Sequence, residues 1–116
     1  MPCYRYLEDS EVHVCDCSGT LSFDVGLAHL QLVASELKAH PSTRQRLLID
    51  FRHTVWESDE VHLRLSEITR RDFDINADNP RLRTAIVNLR WQGAISDHEH
   101  WFLSESAALQ WLTAGR

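Results

Sequence analysis

Two short apolar runs, Leu47-Leu48-Ile49 and Ala85-Ile86-Val87, constrain this chain most. Neither is broken by a polar residue, and neither approaches the ~20 residues of a membrane span. A short run without alternation suits a strand buried on both faces, as in a parallel sheet covered by helices. We read strands over Arg46–Phe51 and Leu82–Leu89. Between them Val61, Leu65 and Ile68 recur at i, i+4, i+7, the spacing of one helix face. Ser58 or Asp59 can cap that helix, and Asp72–Pro80 is polar enough to be a loop.

The segments on either side complete the pattern. Cys3–Leu7 and Val12–Cys17 flank the polar turn Glu8-Asp9-Ser10-Glu11 and predict a hairpin, which Ser18-Gly19-Thr20 ends. Ser22 can accept a free amide of the next helix, and Asp24 suits the positive end of its dipole. Leu30, Val33 and Leu37 repeat at helical spacing, and Pro41 stops the helix. His53–Glu57 and Gln92–Asp97 read as connections, and His100–Leu103 as a short edge strand. Ser104 predicts a final N-cap, with Leu103 and Ala108 at the staple positions and Ala108, Trp111 and Leu112 as the buried stripe. The order β-β-α-β-α-β-(β)-α predicts an α/β fold with a mixed, mainly parallel sheet.

At 116 residues the chain, 1–116, is a single domain without repeats or linkers. It is long enough to bury about 65% of its unfolded surface. Hydrophobic residues at 43% and charged residues at 25% exclude extensive disorder. A net charge of −5 argues against nucleic-acid binding. Met1-Pro2-Cys3-Tyr4-Arg5 has no apolar signal core, and the three cysteines are odd in number, so we expect a cytoplasmic protein. No transmembrane segment is expected.

The opening hairpin, Ser18-Gly19-Thr20 before a helix, and Leu48-Ile49-Asp50-Phe51 together resemble the SpoIIAA-like domains. That group includes the STAS domains of anti-sigma-factor antagonists and many small bacterial proteins of unassigned function. The ending Trp101-Phe102-Leu103-Ser104-Glu105-Ser106-Ala107-Ala108-Leu109-Gln110-Trp111-Leu112, with its Ala-Leu-x-Trp-Leu, is similar too. The resemblance spans nearly the whole chain and implies a small module that binds a partner protein or ligand. STAS antagonists are phosphorylated on a Ser that follows an Asp at the start of a helix. Here the order is reversed, Ser58-Asp59, and Asp59 stands where the acceptor is expected. Ser58 is thus a candidate phosphorylation site by resemblance and an N-cap by its own chemistry. Members often carry another helix where this chain has only Arg90–Glu99, so that helix is expected to be lost or reduced to a turn.

Topology points to a site. In open α/β sheets ligands gather outside the carboxyl ends of the strands. One loop there supplies Arg52, His53 and Trp56, and the next supplies Asn88, Arg90 and Trp91. Each offers a cation and a large aromatic, residues enriched at binding hot spots. We therefore expect a non-enzymatic regulatory or binding module for a protein partner or a small anionic or lipid-like ligand, with no metal or cofactor. A second expectation is self-association into a homodimer through an edge strand bearing Tyr4 and Tyr6. A third is a thiol- or metal-dependent enzyme using His13, Cys15 and Cys17, which share one face of a strand. Same-face neighbours stand ~6.5–7 Å apart along a strand, so those three converge poorly on one ion.

Overall fold

The computed structural model describes residues 2–40, 45–72 and 82–114. β1 (Cys3–Leu7) and β2 (Val12–Asp16) form the expected antiparallel hairpin. β4 (Gln45–Asp50), β6 (Leu82–Val87) and β8 (Glu99–Phe102) then add in parallel to β2. β7 (Gly93–Ala94) closes the far edge antiparallel to β8. The six-stranded order is β1-β2-β4-β6-β8-β7, so β4 and β6 are interior strands and β1 is an edge.

The register sorts the apolar residues into two layers. Val12, Val14, Leu48, Ala85 and Val87 point to one face and meet Ala108 and Leu112 of α3 (Glu105–Thr113). Cys15, Leu47 and Leu82 point to the other and meet Val33, with Leu37, of α1 (Phe23–Ala39). This two-sided coverage is why the runs at 47–49 and 85–87 show no polar alternation. Leu48, Leu82 and Leu112 are wholly buried, each burial stabilising by about 1.5–3 kcal/mol.

α2 (Asp59–Asp72) lies against α1 rather than squarely on the sheet. Its Val61 and Leu65 bury against Leu21, with Phe23, Leu27 and Leu30 around them. Gly26 makes the close crossing: a Cβ there would stand 2.4 Å from a Leu65 methyl. All three predicted serine caps are made. Ser22, Ser58 and Ser104 accept from the amides of Val25, Val61 and Ala107 at 3.1–3.2 Å.

Three expectations are corrected. Ser18-Gly19-Thr20 and His53–Glu57 were expected to be irregular, yet β3 (Gly19–Leu21) and β5 (Thr54–Trp56) pair in parallel as a separate two-stranded sheet. Backbone bonds from Gly19 to His53 and from Glu57 to Leu21 brace its two ends. Strands of three residues are too short to display period-two alternation. Likewise β7 arises inside the expected connection 92–97, so β8 is not an edge strand. Leu103 remains about half exposed instead of closing as a staple over the buried Ala108. α1 ends at Ala39 with His40 as its cap, while Pro41 and residues 73–80 of the expected loop lie outside the described residues. Residues 89–98 contain no helix, as the shortness of that segment implied against the family pattern.

Candidate functional site

The loop after β4 is built on an ion pair. Arg52 donates to the buried Asp50 carboxylate from its backbone amide, Nε and Nη2, at 2.9, 3.0 and 2.8 Å. Burial alone would raise the Asp50 carboxyl. The hydrogen bonds and charge of Arg52 outweigh it and hold the group below the usual carboxylate range. Arg52 also lies 3.8 Å from Glu105, at the first turn of α3, and Arg5 reaches the same carboxylate at 3.2 Å. Arg52 is thus the anchor of its loop. His53 is exposed, and its carbonyl accepts from Gly19. Trp56 is half-buried, stacked face to face on His62 at 4.2 Å and tilted against Phe51 at 5.5 Å.

The loop after β6 is organised by one buried amide. The Asn88 side-chain oxygen accepts from the amides of Arg90 and Trp91, both at 2.8 Å. Its Nδ2 donates to the carbonyls of Trp91 and Phe102 at 2.8 and 3.2 Å. Four bonds from one side chain fix the turn, while the side chains of Leu89, Arg90 and Trp91 face water. Leu89 is 69% and Trp91 45% exposed. Arg90 is exposed and has no side-chain partner among the described residues. Leu103, 48% exposed, follows Phe102, which pairs with Val87 and receives the Asn88 amide, so it flanks the same loop.

The two loops start side by side, because the Phe51 amide donates to the Val87 carbonyl at 2.8 Å. From there they diverge. Trp56 turns toward α2, and Trp91 turns toward Trp101, edge to face at 6.0 Å, above Gly93. Sequence reading missed Leu89 and Leu103. The apolar run places Leu89 in the buried strand, but β6 ends at Val87. The feature that identifies them is exposure, which periodicity does not report. The same holds for Val55 and Leu63, each more than half exposed on β5 and α2. Ser58 is exposed and serves as the α2 cap.

His13, Cys15 and Cys17 are core residues, each at most 3% exposed. Burial pushes the Cys15 thiol well up and the Cys17 thiol up to about 12, so both stay protonated at neutral pH. His13 lies within an unexpected aromatic group. The Tyr4 hydroxyl is 2.7 Å from its Nδ1, and Tyr6 stacks on His40 at 4.1 Å with His13 beside both. Burial, then the neighbouring His40, lower His13 to about 4. Among the described residues no group of three or more His, Cys, Asp or Glu could hold a metal ion. No described helix is long and apolar enough to cross a membrane.

These features define a SpoIIAA-like α/β fold, and a solved structure bears that out. The chain is similar to an uncharacterized protein of the DUF3478 family from Shewanella loihica PV-4, described as having a SpoIIAA-like fold. The TM-score is 0.59 at 17% identity, covering 97% of this chain and 92% of that one, a likeness that establishes the fold. No protein-family model matches the chain, and no curated protein does.

Proposed function

We propose that this chain is a non-enzymatic binding module of regulatory type that captures a protein partner or a small anionic ligand through the loop after β6. One observation carries the reading: Leu89, Arg90 and Trp91 are presented to water on a turn that buried Asn88 locks with four hydrogen bonds. A pre-organised loop gives up little conformational entropy on binding. Trp and Arg are the residues that most often dominate such interfaces. Arg52 and Asn88 support the loops from beneath, and His53 and Trp56 extend the same end of the sheet. The protonated, buried thiols of Cys15 and Cys17 further favour a non-catalytic reading over a thiol enzyme.

The test is affinity capture from the native lysate with wild type and the Arg90→Ala/Trp91→Ala variant as baits. Both altered side chains are exposed, so the fold should persist, as circular dichroism would verify. Specific partners or ligands held by wild type should be lost by the variant. Equal capture of the same set by both baits would remove this site assignment.

A further inference from the structure

We infer that the occupant of this surface is a second copy of the chain, paired about a two-fold axis. The inference rests on the reading of loop 89–91 as a capture surface. Beside that loop the same end of the fold carries a second, complementary surface. Val55 and Leu63 are both more than half exposed, and Glu57, Asp59 and Glu60, between them in the chain, are exposed and without an ion pair among the described residues. Asp59, His62, Leu63 and Ser66 line a shallow concavity there. Among the described residues, the first surface presents the unpaired cation Arg90 beside apolar side chains, and the second presents unpaired carboxylates beside apolar side chains.

Phe51 connects the two surfaces. Its ring meets Trp56, which stacks on His62, and its amide meets Val87 at the base of the Asn88 loop. In a two-fold dimer every contact occurs twice with the roles exchanged. A chain with a basic apolar patch and an acidic apolar patch at one end can therefore satisfy both by meeting itself. Arg90 of each copy would face the Asp59 region of the other, and Leu89, Trp91 and Leu103 would cover Val55 and Leu63. Charge matching of this kind sets the register and partner choice. It favours a second copy over an unrelated protein, because the complementary surface is already present on this chain.

Sedimentation velocity of the full chain over a range of concentrations tests the idea. Wild type should show a reversible monomer–dimer equilibrium. Arg90→Glu and Asp59→Arg should each weaken it by about 10-fold or more, the scale of an opposed charge pair at an interface. The double variant should recover to within about threefold of wild type, because the pair is re-formed with its signs exchanged. Amide shifts on dilution of wild type should concentrate at Val55–Leu63 and Leu89–Trp91, a readout that needs no variant. A wild type that stays monomeric at ~1 mM, where an interface of even about −4 kcal/mol would be half formed, would overturn the inference. So would a dimer indifferent to charge reversal, or dilution shifts located elsewhere. A monomeric wild type whose Arg90→Ala/Trp91→Ala variant still loses partners would leave the capture reading standing and remove only the self-pairing.

Discussion

Acid should weaken this protein through His13 in particular. Its imidazole is 2% exposed, shares a hydrogen bond with the Tyr4 hydroxyl at Nδ1, and faces His40 at 5.5 Å between ring centres. A proton on His13 would place a buried cation beside another imidazole. The folded group titrates at about 4, against 6.5 for an ordinary histidine. Between those values the unfolded chain holds a proton that the folded chain lacks. The His13 contribution is therefore full above 6.5 and is lost as pH falls through the window to about 4. The interval corresponds to about 3 kcal/mol at 1.36 kcal/mol per unit. Urea unfolding at a series of pH values from 7.5 to 4 measures it. Wild type should lose about 3 kcal/mol more than His13→Gln, which keeps a hydrogen-bonding group for Tyr4 but does not titrate. His29, also lowered by burial, titrates in both proteins and drops out of the difference. Identical pH slopes for the two proteins would refute the reasoning.

Other consequences are directly measurable. A thiol reagent should modify the exposed Cys3 at once and reach Cys15 and Cys17 only in denaturant, and three fast thiols would contradict their burial. Asn88→Ala should cost about 2–3 kcal/mol, because it strands the amides of residues 90 and 91 and the Trp91 carbonyl. Asn88→Asp should recover only part of that, since a carboxylate cannot donate to the two carbonyls, and a thermal melt reads both. Gly93→Ala should shift tryptophan emission, because the new Cβ would lie 2.8 Å from the Trp91 ring. An unchanged spectrum would mean that the ring does not rest on that backbone.

The sequence makes the long elements plain for a physical reason. β4 and β6 are covered on both faces, so their apolar runs are continuous, and each helix begins at a serine that caps it. The β3–β5 sheet and β7 hide because two or three residues carry no period, and their pairing depends on contacts distant in the chain. Of the residues expected at the site, Arg90 and Trp91 are exposed, whereas Arg52 is engaged by Asp50 and Asn88 by backbone groups. Asp50, two residues before Arg52, is a buried carboxylate that needs a cation, and it takes Arg52. Asn88 turns inward because the chain reverses there, and a short amide can serve several backbone groups at once.

The exposed loop follows from how little chain joins β6 to β8. Parallel neighbours ordinarily need a dozen or more residues to cross, usually as a helix. Here the crossing is confined to residues 88–98 and is made without a helix. Trp91 leans on Trp101 over Gly93, the Trp101 indole donates to Glu99 at 2.9 Å, and β7 borders the sheet beyond. So short a crossing has no apolar face under which to bury Leu89, and Asn88 holds the turn so that Arg90 points outward. The economy that removed the helix left an apolar and cationic edge at the carboxyl end of the sheet. A chain of net charge −5 keeps such an edge in water at some cost in solubility. That cost is offset when the edge is covered, which supports the binding role proposed for the loop over a leftover of shortening.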